Sequence, residues 1–349
     1  MKRLLLPLSL IFEAVTRFRN HLYDIGIRRS FHFDSLMTIG VGNLSMGGTG
    51  KTPVTEYLVR LLKSDFRVAS LSRGYGRRTK GLRFLSDADS ALTAGDEPVQ
   101  LYRKFGKEIN VVVSEDRILA IPTLLNNEDS QPSVVVMDDA FQHRRIRTDL
   151  NILLTKFEDP FFDDFLFPAG WLRESRAGAR RADVLLVTKC PSTLDSNQMA
   201  LITDKARKYT GDIPVFYTRY RYSTPVSFGN HNTISKNIIL ITGIAQSSLL
   251  LRHCKQDFNV IQHFRFPDHH KFTMSELYEI IQKASGLDCS LLTTEKDMIR
   301  LSEYSSDQLI VGQPWFYLPI EVEFLERGEE FNSLVINKVR SKLNQEHDA

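Results

Sequence analysis

Gly42-Asn43-Leu44-Ser45-Met46-Gly47-Gly48-Thr49-Gly50-Lys51-Thr52 has the composition of a phosphate-cradling turn. Gly47, Gly48 and Gly50 let the chain turn so that backbone N–H groups point inward at phosphate oxygens. Lys51 supplies a point charge at the β/γ-phosphates, and Thr52 a hydroxyl for Mg²⁺. The general pattern is GxxxxGK[ST], and Ser45 stands where its first Gly belongs. ATP is the expected ligand, held by Ser45, Met46, Gly47, Gly48, Thr49, Gly50, Lys51 and Thr52. Such a loop needs a carboxylate for the metal, usually at the end of a neighbouring strand. Val134-Val135-Val136-Met137-Asp138-Asp139 provides it: one of Asp138 and Asp139 can hold Mg²⁺, directly or through water, beside the Thr52 hydroxyl. The plainer alternatives are a ligand-free Gly-rich turn and two acids capping the next helix.

Other stretches offer contacts for a phosphate. Phe141, Gln142, His143, Arg144, Arg145 and Arg147 follow Asp139, and Arg173, Arg176, Arg180 and Arg181 come later. Arginine suits bidentate phosphate recognition, although any single one also fits a solvated basic face. Ser72-Arg73-Gly74-Tyr75-Gly76-Arg77 follows a strand end and reads as a glycine-hinged loop over the site. As a dinucleotide signature it lacks the third Gly.

The elements that would position these residues alternate along the chain. Met37–Val41, Arg67–Leu71, Ile109–Val113, Val134–Met137, Asn151–Leu154 and Val184–Thr188 are short apolar runs, mostly not alternating. That is the pattern of strands buried on both faces. Helical segments such as Thr52–Lys63 and Val99–Phe105 fall between them. The reading is α/β: a P-loop NTPase-type, doubly wound, mostly parallel sheet. A second set begins near residue 237, with strands at Ile238–Ile241, Val260–Phe264 and Leu291–Thr293 and helices near Ser247–His253 and Met274–Ala284. It predicts a smaller α/β domain. Val215–Tyr222 and Trp315–Phe324 alternate and are aromatic-rich, and are expected to pair as a two-stranded connector. The expected division is 1–30, 31–222 and 223–349.

Composition bounds the function. At 349 residues, with 42% hydrophobic and 25% charged, the chain is an ordinary globular one of about two domains. No apolar run approaches the roughly 20 residues that span a bilayer. A net charge of +3 is too even for a protein that coats nucleic acid, and no nucleic-acid partner or obligate protein partner is expected. Cys190, Cys254 and Cys289 lie far apart with no CxxC, which fits a reducing compartment.

The N-terminus is unlike the rest. Residues 1–30 carry six Lys/Arg against two acids. Glu13 interrupts the opening apolar run and no small-residue cleavage site follows, so a secretion signal is rejected. From Leu8 a helical period places Leu8, Ile11, Phe12, Val15, Phe18 and Leu22 on one face, with Pro7 where a helix can start. Flanked by arginines, such a helix can lie in the headgroup region of a membrane. The alternative is a helix packed on the protein's own core.

Taken together the motifs identify a family. The chain resembles the tetraacyldisaccharide 4'-kinases of lipid A biosynthesis in GNLSMGGTGKTP (42–53), SRGYGR (72–77), GDEP (95–98), MDDAFQHR (137–144), FPAGWLRE (167–174), TKC (188–190), ITGIA (241–245), FPDHHKF (266–272) and TTEKD (293–297). The departure at Ser45 is itself what this family's loop looks like. The resemblance implies ATP-dependent phosphorylation of the 4'-hydroxyl of a tetraacylated glucosamine disaccharide 1-phosphate, giving lipid IVA. It implies a peripheral enzyme on the cytoplasmic face of a Gram-negative inner membrane, docked through its N-terminal helix. Asp96 of GDEP is implied as the catalytic carboxylate and His269 as its partner, with His270 adjacent and ambiguous by one position. Arg73, Tyr75, Arg117, Gln142, His143 and Arg173 are implied as phosphate or substrate contacts. Asp96 and His269 belong to different expected domains, so their meeting requires an interdomain cleft. The competing function is a membrane-associated P-loop ATPase acting as an assembly or partitioning switch. Switches with the deviant loop carry a Lys near the loop start, where this chain has Met46.

Overall fold

A computed structural model describes residues 5–127, 131–229, 231–304, 307–308 and 312–345. Leu4, read as part of the opening apolar run, lies outside them. The phosphate-loop strand β1 (Met37–Asn43) is buried along its whole length. It lies between β5 (Val134–Met137) and β6 (Leu150–Lys156), both parallel to it. Around this trio runs a nine-stranded sheet. On one side of β5 come β2 (Val68–Ser72), β4 (Asn110–Val113) and the short antiparallel β3 (Arg83–Phe84). On the other side of β6 come β7 (Val184–Thr188), β8 (Val215–Tyr222) and β14 (Ile320–Phe324). Strands this apolar need cover on both faces. Helix α2 (Lys51–Leu62) supplies part of it, burying Val54, Leu58, Val59 and Leu62 on one side.

The smaller sheet holds β11 (Asn259–Arg265), β10 (Asn237–Thr242), β12 (Ser290–Thr294), β13 (Trp315–Leu318) and the antiparallel β9 (Val226–Ser227). Helix α8 (Met274–Ala284) packs Leu277, Ile280 and Ile281 against it. Its start is fixed by a capping box in which Thr273 and Glu276 bond each other's backbone N–H, the arrangement that satisfies two otherwise unpaired donors.

Two expectations about the connector change. Trp315–Phe324 is not one strand: Pro319 splits it. Trp315–Leu318 pairs in parallel with β12, while Ile320–Phe324 pairs antiparallel with β8, Ile320 opposite Tyr222 and Phe324 opposite Thr218. A proline has no N–H for a ladder, so the chain changes sheets there. β8 and β14 do pair as expected, but as the last two strands of the large sheet. The 223–349 grouping shifts for the same reason. A C-terminal helix, α10 (Gly328–Asn344), buries Phe331, Val335 and Val339 in one core with Met37, Ile39 and Val41 of β1. Residues 320–344 therefore return to the large unit.

Helix α1 (Leu6–Asp24) forms as the period predicts, with Pro7 in its first turn. Its orientation is inverted relative to an ordinary surface helix. The two residues it buries are Ser9 and Thr16, while Leu8, Leu10, Ile11, Val15 and Phe18 are each more than half exposed. Packing of the apolar face on the protein's own core is thereby excluded. No described helix is long and apolar enough to cross a membrane.

Candidate active site

The phosphate loop is held from outside by side chains that take up its carbonyls. Lys189 Nζ donates to Gly48 O at 2.7 Å and Thr188 Oγ1 to Thr49 O at 2.8 Å. Asn43 Nδ2 donates to Thr49 Oγ1 at 2.8 Å. Met46 N and Thr49 N are bonded to Trp171 O and Gly47 O, so the remaining loop amides and the first turn of α2 are what can face an anion. Gly47 and Gly50 have φ of 93° and 89°. A Cβ at Gly50 would meet the Tyr220 hydroxyl at 2.7 Å, so no larger residue fits there.

Asp138 and Asp139 leave β5 beside β1, Asp139 in the left-handed region at φ 49°. Lys51 Nζ lies 3.5 Å from Asp139 Oδ1, and Arg173 Nη1 lies 3.1–3.2 Å from both Asp139 oxygens. Burial raises Asp139, but these cations more than offset it and hold the acid below its ordinary value. Asp138 goes the other way. Burial, then the facing charge of Glu97, pushes it up to about 7. A buried carboxylate beside a second carboxylate is relieved by a cation. Thr52 lines the same cavity as the two acids. Among the described residues no group of three or more His, Cys, Asp or Glu could hold a metal. Mg²⁺ takes one or two carboxylates and completes its shell from water and nucleotide phosphates, so two acids are enough for it.

Across the cleft, Asp96 begins helix α4 (Asp96–Phe105), and His269 lies in the turn after β11. Separated by 173 positions, they meet: His269 Nδ1 is 3.1 Å from Asp96 Oδ2. Lys296 Nζ lies 3.2 Å from His269 Nε2 and 3.0 Å from Glu97 Oε1. One tautomer satisfies both contacts of the ring: Nδ1–H donates to Asp96, and Nε2 accepts from Lys296. Asp96 Oδ1 accepts from Glu97 N, and Arg300 Nε stands 3.4 Å from Oδ2. Burial pushes Asp96 up, but the His269 hydrogen bond and the charges of Lys296 and Arg300 outweigh it and hold the acid at about 2. Burial lowers Lys296, yet Glu97, Asp96 and Asp268 more than compensate and leave its ammonium above the ordinary lysine value. His269 has φ 58°; strain of this kind persists only where surroundings over-determine it.

A cavity of about 780 Å³ joins these parts. The large unit lines it with Met46–Pro53, Ser72–Tyr75, Asp138, Asp139 and Arg173. The small unit contributes Ile244, Ala245, Gln246, Leu249, His269 and Lys296, and the crossover Leu318 and Ile320. His269 faces the cavity, with Asp96 buried behind it.

The residues expected at the site divide. Lys51, Thr52, the glycines, Thr49, Met46, Asp138, Asp139, Arg73, Tyr75, Arg173 and His269 all line the cavity. Tyr75 packs its ring 5.0 Å from that of His269. Ser45 is buried and forms an antiparallel bridge to Leu172 instead. Arg117 is fully buried and donates to the carbonyls of Asp138 and Asp139. It braces the metal-side turn and does not face the cleft. Gln142 donates to Asn43 O at 2.6 Å and Glu174 Oε1 at 3.2 Å, bracing the loop likewise. His143 lines a separate cavity of about 670 Å³ with Arg144, Arg147 and Tyr23. Burial, then Arg117, Arg145 and Arg73, lowers it to about 4, so it is neutral near pH 7. His270 stacks 4.6 Å from Phe266 and pairs with Glu276 at 3.0 Å, which leaves His269 as the partner of Asp96.

Several residues that complete the site have no role that their local pattern alone discloses. Lys296 and Arg300 lie one turn apart on helix α9 (Glu295–Leu301), and only Lys296 falls within the TTEKD stretch. Lys189, at φ 59°, links Gly48 to Gln246 of the small unit at 3.3 Å. Burial, then Lys156, lowers it to about 8. Tyr220 shows only as one aromatic in an alternating strand.

Comparison with known proteins agrees over nearly the whole chain. The family model for tetraacyldisaccharide-1-P 4'-kinase matches residues 1–340. Tetraacyldisaccharide 4'-kinase of Flavobacterium johnsoniae is 38% identical, covering 98% of each chain. That of Bacteroides thetaiotaomicron is 38% identical over 96% of this chain and 93% of its own. The crystal structure of LpxK from Aquifex aeolicus in complex with ATP superposes with a TM-score of 0.74 at 31% identity. It covers 97% of this chain and 99% of that one.

Proposed function

Because the chain belongs to the tetraacyldisaccharide-1-P 4'-kinase family, we propose that its interdomain cleft is where phosphate passes from ATP to the lipid, with the residues above in defined roles. The protein is a kinase of lipid A biosynthesis that uses ATP with Mg²⁺. Its acceptor is the 4'-hydroxyl of a tetraacylated glucosamine disaccharide 1-phosphate, and its product lipid IVA.

Gly47–Thr52 hold the triphosphate, and Lys51 exchanges Asp139 for the β/γ-phosphate oxygens. Thr52, Asp138 and Asp139 hold Mg²⁺, which supplies charge neutralisation at the transferring group. Arg173, already on Asp139, is the next cation within reach of that group. In a loose transition state the acceptor loses its proton late, so a strong base is not required. A carboxylate near about 2 fixes the ring of His269, and His269 Nε2 takes the hydroxyl proton once Lys296 yields its place. Lys296 then stands where it can meet phosphate charge. The single observation that carries this reading is the 3.1 Å contact of Asp96 with His269 across the two units, above the phosphate loop.

The exposed face of α1 docks the enzyme on a bilayer as a peripheral protein, on the cytoplasmic side of the inner membrane where ATP is available. The acceptor's acyl chains cost about 0.8 kcal/mol per CH₂ to withdraw from lipid. A docked enzyme reaches the sugar without withdrawing them. Mass spectrometry of the disaccharide acceptor after incubation with Mg-ATP tests the assignment. One added phosphate with the wild type and none with Lys51→Ala is expected. ATP loss with only inorganic phosphate released would contradict it.

A further inference from the structure

The chain has two tryptophans. Trp315 is 1% exposed, whereas Trp171 is 62% exposed. Trp171 sits in a turn with Phe165 and Phe167, both also exposed. This turn is not loose. Phe167 N donates to Leu172 O, Leu172 N to Phe165 O, Gly170 N to Leu166 O, and Trp171 N to Asp164 Oδ2, all within 2.9–3.0 Å. A Cβ on Gly170 would meet Phe165 O at 2.2 Å, so the turn is closed around that glycine. Rigid backbone presenting three aromatics to solvent is a standing cost unless something covers them.

The turn is continuous with the outward face of α1. Ser9 Oγ donates to Leu166 O at 2.9 Å and accepts from Ala169 N at 3.0 Å. The Phe12 and Phe167 rings lie 6.0 Å apart. Asn20 Nδ2 donates to the buried Glu174 at 2.7 Å. Arg17 on α1, paired with Glu13 at 2.6 Å, and Arg28 and Arg29 just after the helix are exposed, and Arg176 packs its guanidinium 6.0 Å from the Phe165 ring. An apolar plane rimmed by arginine is complementary to an anionic bilayer, and tryptophan favours the headgroup level. The other side of the turn is bonded to the phosphate loop: Met46 N donates to Trp171 O at 2.7 Å and Arg173 N to Leu44 O at 2.8 Å.

We propose that Trp171, with Phe165 and Phe167, inserts into the headgroup region of an anionic membrane as a second anchor beside α1, and that the main-chain bonds of Trp171 to Met46 and of Arg173 to Leu44 hold the phosphate loop at a fixed height above the lipid. This rests on the reading of α1 as the docking helix. Two anchors fix orientation as well as attachment, so the cleft meets a sugar that stays in the bilayer.

The test uses full-length Trp315→Phe protein, in which Trp171 is the sole tryptophan. Trp315 Nε1 has no hydrogen-bond partner, so the replacement strands no acceptor. Vesicles of phosphatidylcholine and phosphatidylglycerol with brominated acyl chains are added, and sedimentation is measured on the same samples. A blue shift and quenching of Trp171 emission on bound protein is expected. Co-sedimentation with emission unchanged would overturn the second anchor and leave the α1 reading intact, whereas failure to sediment would overturn both. In otherwise wild-type protein, Trp171→Ala should weaken vesicle partitioning about tenfold while turnover of detergent-dispersed acceptor is retained. Self-association without vesicles that Trp171→Ala abolishes would assign the surface to a second copy of the chain instead.

Discussion

The interdomain cleft and the N-terminal surface break the rule of apolar inside and polar outside in opposite directions. In the cleft, charged groups are buried: Asp96, Asp138 and Arg300 are almost wholly enclosed. On α1, Ser9 and Thr16 are buried while Leu10, Ile11 and Phe18 face out. Each inversion costs stability by itself, one through desolvation of charge and the other through unburied apolar surface. Under the proposed function each would be relieved by a different ligand, a metal-bound polyphosphate in one case and lipid in the other. The two regions are joined by the 165–173 segment, which bonds α1 on one side and the phosphate loop on the other.

Substitutions can pull the two regions apart. The largest effect is expected in the cleft. Lys51→Ala should lower kcat by about 10³-fold and leave vesicle co-sedimentation unchanged; equal losses in both assays would erase the distinction between the regions. Next comes the outward face. Leu10→Glu, Ile11→Glu and Phe18→Glu together should weaken partitioning into anionic vesicles by about 10²-fold, with kcat on detergent-dispersed acceptor retained. Because these side chains are exposed, the fold survives, and a lowered melting temperature would argue that the face is covered by protein.

A smaller effect sharpens the cleft itself. Lys296→Met removes a positive charge from His269 Nε2. It should lower kcat about tenfold. An unchanged kcat would make Lys296 merely structural. The smallest effect lies at the contact between the units. Lys104 bridges Glu56 and Glu295 at 2.6 and 2.7 Å. Burial, then Glu56, raises Glu295 to about 7, against Lys104. The folded state thus binds this proton more tightly than the unfolded chain, whose glutamate has the ordinary value of 4.5. Stability should fall as pH rises from about 4.5 to about 7 and level off above. Thermal melts of Glu295→Gln should show a shallower slope in that window.

What the sequence discloses follows chain distance. The phosphate loop and its carboxylates are legible because strand, turn and helix are contiguous and each residue type has one job there. Asp96 and His269 are not, being 173 positions apart; only the family resemblance pairs them. Arg117 misleads because nothing local says that a guanidinium after a helix cap will be buried against two carbonyls. The period of α1 is plain, but which way its apolar face points depends on Ser9 finding Leu166 O and Ala169 N in the fold. Pro319 is visible as a proline, yet that the chain changes sheets there follows from the partners of β13 and β14. Lys296 is quoted within TTEKD but gains a role only when β12 delivers it beside His269.

The most direct test of the central claim, that Asp96 and His269 act as one proton-handling unit across the cleft, is a double-mutant cycle on kcat at saturating Mg-ATP and acceptor. Asp96→Asn and His269→Ala should each lower kcat by about 10²–10⁴-fold, and the double variant should be no slower than the slower single one. Losses that multiply, or near-full activity in either single variant, would contradict it.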